Sequence, residues 1–264
     1  MHTARLAALI LLAATPIASQ AIAKDAKAKS HAAMGHGHAA HYAAALADPA
    51  RPAAERERDA ARLPAELLAF AQIDKGEKVG DFIMGGGYLT RILAAAVGPK
   101  GRVYAFQPSE FIAFRAQYGE DQKVVDAAYA NVDAVAGSAI APAFPVGLDT
   151  IVTVQNFHDL YLKQASADAG DRASAALYAA LKPGGTLVVV DHHAAAGSNP
   201  RETADKLHRI DKVAVIGVLT KAGFKLEAES PLYAHPADPR TANVFDPAIR
   251  GKTDQFALRF RKPR

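Results

Sequence analysis

The stretch from Lys78 to Arg91, KVGDFIMGGGYLTR, constrains the chain more than any other: a short apolar run carrying an acid, three consecutive glycines, then a helix-like sequence. This order reads as strand, tight turn, helix. Glycine has no Cβ, so Gly85, Gly86 and Gly87 are free to take positive φ and to let the backbone approach a ligand closely. The helix that follows offers unpaired N–H groups at its start, a setting suited to a nucleotide-like cofactor. A dinucleotide fingerprint needs a further glycine three residues after Gly87; Thr90 stands there, which leaves NAD a minor alternative.

Half of the 264 residues are apolar, enough for one large core. The start of the chain stands apart from that core. Arg5 precedes the apolar run Leu6 to Ala14, and small residues follow at Ser19, Ala21 and Ala23, the pattern of a secretory signal peptide over residues 1–23 with cleavage after Ala21 or Ala23. The run is too short to remain as a membrane anchor after cleavage, and the expected location is periplasmic or secreted. The chain has no cysteine, which excludes a disulfide framework and a lipidated cysteine. Its net charge of +4 comes without a dense Lys/Arg block interleaved with aromatics, which speaks against nucleic acid as a partner.

Residues 24–50 are rich in Ala, Lys and His, including His31, His36, His38 and His41, and lack a periodic apolar face; they read as a disordered linker. A solvated tether is favoured there over a metal-binding tract. From Arg51 the chain becomes charged and then places Leu63, Leu67, Phe70 and Ala71 at helical spacing, predicting an amphipathic helix that caps a sheet. Strand-like and helix-like units alternate after it. Strands are predicted at Val79 to Met84, Arg102 to Gln107, Val132 to Ala136, Thr150 to Gln155, Thr186 to Asp191, Phe224 to Ser230 and Gln255 to Arg261, with long helices from about Ser109 and from about Arg201 to Ala222. Such alternation predicts an α/β fold over residues 51–264: a Rossmann-like, seven-stranded, mostly parallel sheet with helices on both faces, preceded by a helix and a disordered arm.

The order of motifs resembles the class I S-adenosylmethionine-dependent methyltransferases over about residues 60–262. Asp81 and Gly85-Gly86-Gly87 match that family's acid and glycine turn after the first strand, Leu181-Lys182-Pro183-Gly184-Gly185 its approach to the fifth, and Ala222-Gly223-Phe224 its approach to the sixth. A narrower resemblance, carried by Leu207 to Asp211 and Asn243 to Pro247, is to exported, uncharacterised bacterial proteins of the same family. The resemblance implies S-adenosylmethionine as cofactor: Gly85, Gly86, Gly87 and Tyr88 against its methionine part, Asp81 ordering its amino group, Gln107 on the ribose, with Ser138, Gln155 and Asn156 on the same rim. Gln107 and Ser138 stand where relatives carry acids, so an amide and a hydroxyl replace the charge-assisted bonds expected there.

Ligands of open parallel sheets sit beyond the carboxyl ends of the strands, where His158, Asp159, Asp191 and His192 also fall; they are the candidate catalytic groups. His158 or His192 is the expected general base, taking a proton from an oxygen or nitrogen nucleophile, while methyl transfer itself needs mainly alignment and exclusion of water. His193 reads as a loop residue, and His208 as facing either the site or solvent. Asp159 and Asp191 with His192 or His193 are ligand types, yet no paired acids at short spacing stand out, and no metal is expected. No nucleophile elbow is present, which disfavours hydrolase chemistry. The expected activity is methyl transfer to a small molecule or an exposed polar group; the alternatives are a non-catalytic periplasmic protein binding adenosyl compounds on the same fold and, less favoured, an NAD-linked oxidoreductase.

Overall fold

The computed structural model describes residues 41–264. The expected signal peptide and the expected linker up to residue 40 lie outside the described residues. The expectation of disorder through residue 50 is corrected. Residues 41–46 are helical, and Tyr42, 1% exposed, donates from its hydroxyl to Ile73 O at 2.8 Å. An aromatic ring with its one polar atom satisfied is worth burying, so the folded unit begins before Arg51.

Seven strands form one sheet: β1 (Lys78–Phe82), β2 (Arg102–Pro108), β3 (Val132–Gly137), β4 (Leu148–Val154), β5 (Leu181–His192), β6 (Lys225–Ser230) and β7 (Gln255–Arg261), in the spatial order β3-β2-β1-β4-β5-β7-β6. All pairings are parallel except those of β7, which runs antiparallel to both β5 and β6. The order reverses between β1 and β4, and this opens a crevice at their carboxyl ends.

Period-two alternation explains why the sheet is covered on both faces. On β5, Val188 and Val190 join the core that holds Val79, Val103, Ile92 and Leu68, whereas Leu187 and Val189 join the opposite one with Phe82, Phe106, Leu177 and Leu219. Nine helices and one 3₁₀ turn among the described residues surround the sheet after residue 50: α1 (Ala53–Arg56), α2 (Asp59–Arg62), α3 (Pro64–Ala71), α4 (Tyr88–Val97), α5 (Ser109–Phe114), α6 (Gln117–Ala128), the 3₁₀ turn Phe157–Tyr161, α7 (Ala169–Ala180), α8 (Pro200–Leu207) and α9 (Lys212–Lys221). None is long and apolar enough to cross a membrane.

Three helices expected to be continuous are broken. Leu63 takes φ 44° between α2 and α3, where Pro64 lacks the N–H a continuing helix requires. His208 takes φ 53° between α8 and α9, and Asp211 then caps α9 by accepting from Val213 N. Extended Arg115 separates α5 from α6. The first break lies beside Arg58 and Arg62 at the crevice, and the second sets His208 against His158.

Candidate active site

At the β1–β4 reversal lies a cavity of about 250 Å³. Asp81, Ile83, Gly85, Gly86, Tyr88, Gln155 and Asn156 line its floor and wall, and Glu55, Arg58 and Arg62 from the segment before the first strand reach it from above. Six of the expected cofactor residues are thereby brought together; Gly87, Gln107 and Ser138 are not on the wall.

The three glycines do separate work. Gly85 has φ 57°, and a Cβ there would meet nothing within 4 Å, so the bare backbone faces open space. Gly87 has φ 83° and caps α4, but a Cβ would lie 2.5 Å from Val125 Cγ2; its smallness serves packing. Gly86 does not take positive φ; a Cβ there would lie 3.7 Å from Asp121 Oδ2.

Two non-glycine residues on the wall also have positive φ, Ile83 at 65° and Gln155 at 62°. For a β-branched residue this is a strained conformation, costing on the order of 1–3 kcal/mol and persisting only where surroundings impose it. The imposing group is Asn156, whose amide donates to Ile83 O at 2.9 Å and Val154 O at 2.8 Å, stapling the end of β1 to that of β4. Gln155 in turn donates to Gln255 Oε1 at 3.0 Å.

Asp81 is 3% exposed, and Thr90 Oγ1 donates to it at 2.6 Å. Burial pushes its carboxyl up to about 6 against the opposing effect of that bond, and no basic side chain among the described residues offsets it. A buried carboxylate with one neutral partner is costly to keep charged. Gln107 sits behind the loop: its Oε1 accepts from Gly85 N at 3.0 Å, and its Nε2 is buried without a partner among the described residues. An orphaned amide of this kind costs about 1–3 kcal/mol. Ser138 is engaged elsewhere, donating to Glu110 Oε1 at 2.6 Å.

The roof was not legible as part of the site. Tyr88 donates to Asp59 Oδ1 at 2.7 Å, and the guanidinium carbons of Arg51, Arg58 and Arg62 lie 5.6, 5.2 and 4.9 Å from its ring centroid. Arg91 of α4 donates to Glu55 Oε1 at 2.7 Å and to Gly86 O at 3.0 Å. Burial and the neighbouring Arg58 lower the pKa of Arg62, so this edge of the cavity carries costly positive charge. The charged composition after Arg51 was the available signal.

The four expected catalytic residues form a separate cluster on the β4–β5 side. Asp191 is fully buried; it accepts from His158 Nδ1 at 2.8 Å, from His158 N at 2.8 Å and from His192 N at 2.7 Å. Asp159 Oδ1 lies 3.4 Å from His158 Nε2. Burial opposes charge on His158, yet Asp191 and Asp159 outweigh it and push the ring up to about 9, while Asp191 is held below the usual carboxylate range. Burial drives His192 down to about 4, and its Nδ1 shares a 2.9 Å hydrogen bond with Thr253 Oγ1. The two rings are thus shifted in opposite directions, His158 toward holding a proton and His192 toward the neutral form. Asp159 is pushed up by burial to about 6. His193, expected on a loop, lies edge-on to Phe256 and 3.5 Å from Asp254. His208 enters the cluster, its ring 5.5 Å from that of His158 and perpendicular to it.

No family model matches the chain, and no curated protein matches its sequence. Solved structures do. A SAM-dependent methyltransferase from Aquifex aeolicus matches at 20% identity over 75% of this chain and 89% of its own, with a TM-score of 0.53. A TehB-like SAM-dependent methyltransferase from Corynebacterium glutamicum matches at 17% identity over 79% and 95%, with a TM-score of 0.51. The [4+2]-cyclase SpnF matches at 17% identity over 82% and 86%, with a TM-score of 0.52. The chain thus has the Rossmann-like methyltransferase fold. The cyclase on the same fold shows that architecture does not decide the reaction.

Proposed function

We propose that the chain is an S-adenosylmethionine-dependent methyltransferase acting on a small molecule or an exposed polar group. The observation that carries this reading is Asp81, a buried carboxylate lacking a cation, on the wall of a cavity floored by the bare backbone of Gly85 and Gly86. An amino acid ammonium is the group such a carboxylate would hold. Gln107 supports the loop from behind through Gly85 N, and Arg58 and Arg62 suit a carboxylate at the roof. When bound, the cofactor supplies an electrophilic methyl group. This chain's residues orient it, and residues 55–62 exclude water.

Isothermal titration of the protein with S-adenosylmethionine and S-adenosylhomocysteine tests the reading; heat from both supports it, and silence with both at millimolar ligand contradicts it. A second reading, a non-catalytic protein that binds adenosyl compounds, is favoured by a cavity wall that, among the described residues, holds no histidine. Binding without transfer of a labelled methyl to any acceptor separates it from the first. Residues 1–23 are proposed as a cleaved signal for export to the periplasm or beyond, and a mature protein that retains Met1 on mass spectrometry rules this out.

A further inference from the structure

The cluster around His158 lies off the wall of the cavity. His158, Asp159 and His208 each offer one donor atom, and the three donors lie within 4.8 Å of one another. Ligands bound to one ion at about 2.0–2.2 Å stand roughly 3.4 Å apart in tetrahedral geometry. The His158 Nε2–Asp159 Oδ1 separation is already 3.4 Å, so only His208 has to close in.

The support around these donors is what a metal centre requires. Asp191 takes the Nδ1–H of His158 and also binds the His158 and His192 amides, fixing ring and tautomer so that Nε2 faces Asp159. A carboxylate behind a ligating imidazole is the usual outer partner of a bound metal. His208 is placed by its left-handed backbone between α8 and α9, a conformation retained at a non-glycine position, and Phe245 covers its outer side at a ring separation of 4.9 Å. Asp159 and His208 are partly exposed, leaving a path for an ion to enter.

We propose that His158 Nε2, Asp159 and His208 form a binding site for one divalent transition-metal ion, with Asp191 as the carboxylate that orients His158. Two imidazoles and one carboxylate suit zinc, iron, nickel or copper; magnesium and calcium demand more oxygens. Three protein ligands leave positions open for water or for an oxygen or nitrogen donor of a bound molecule. The donors do not line the cavity, and they share only Asp159 with the ligand types read in the sequence, because Asp191 is spent on His158 and His192 on Thr253.

The test uses chelator-stripped full-length protein titrated with Co²⁺, followed by competition with Zn²⁺ and Mg²⁺. The expected result is a visible ligand-field spectrum saturating at one Co²⁺ per chain, displaced by Zn²⁺ and not by Mg²⁺. His208→Asn, which suits the left-handed backbone, and Asp159→Asn are each expected to weaken binding at least a hundredfold with an unchanged circular dichroism spectrum. A His31→Gln, His36→Gln, His38→Gln variant keeps the signal. Absence of the spectrum, its survival in both cluster variants, or its loss only in the triple variant overturns the proposal. Ion binding needs no adenosyl ligand, so this outcome is independent of the titration with S-adenosylhomocysteine.

Discussion

On the β1 side of the crevice Asp81 is buried with a single hydroxyl partner, whereas on the β4–β5 side Asp191 is buried with three donors, one of them the His158 ring. The first carboxyl is pushed up and the second held down, though both are almost completely enclosed. Burial alone therefore does not set their charge; the partners do. The contrast separates two uses of an enclosed acid. Asp191 is satisfied within the fold and positions a neighbour, while Asp81 has one neutral partner and, in the proposed function, holds the ammonium of the cofactor.

The largest expected effect lies on the satisfied side. In chelator-treated protein, Asp191→Ala leaves His158 without its main counter-charge and two amides without an acceptor; stability falls by about 3–5 kcal/mol, measured by denaturant unfolding. Next is Gly87→Ala, which combines a positive φ with a Cβ placed 2.5 Å from Val125 and costs about 3 kcal/mol. Gly85→Ala meets no atoms and costs about 1 kcal/mol, yet lowers affinity for S-adenosylhomocysteine more than its stability cost implies.

Asp81→Asn sharpens the comparison because its effects have opposite signs. Asp81 keeps its proton in the folded state to a pH of about 6, against 3.8 ordinarily. The unfolded chain thus releases that proton first, and stability declines as pH climbs between these values and stays reduced above them. The variant removes this loss and is expected to be about 2 kcal/mol more stable at pH 7.5, while binding S-adenosylhomocysteine about a hundredfold more weakly. A variant that loses both stability and binding would make Asp81 a structural group. The smallest effect is at Glu77, pushed up by burial to about 7 in spite of a backbone bond near Asp74. By the same sign, wild-type stability declines from pH 5 to pH 8, and Glu77→Gln flattens that slope by about 1 kcal/mol after allowance for solvent screening.

The sheet was legible because its central strands are buried on both faces: an apolar run such as Thr186 to Asp191 leaves little freedom in where a strand can lie, and Gln255 to Arg261 shows partial alternation. The glycine turn was legible because positive φ at Gly85 and Gly87 has a residue-level signature. The roof and the His208 contribution were not, since they depend on left-handed backbone at Leu63 and His208, residues that carry no such signature and are held there by tertiary contacts. Pro64 did mark the first break. The roles of Gln107 and Ser138 were obscured for a related reason: a side chain's type shows what it can bond, but only the fold shows that Gly85 N and Glu110 have already taken those bonds.

Amide hydrogen exchange with and without S-adenosylhomocysteine is the most direct test of the seat at the β1–β4 crevice. The account predicts slowed exchange in residues 83–89, 154–156 and 55–62 together, with residues 138–143 unchanged. Protection confined to other segments, or none at saturating ligand, contradicts it.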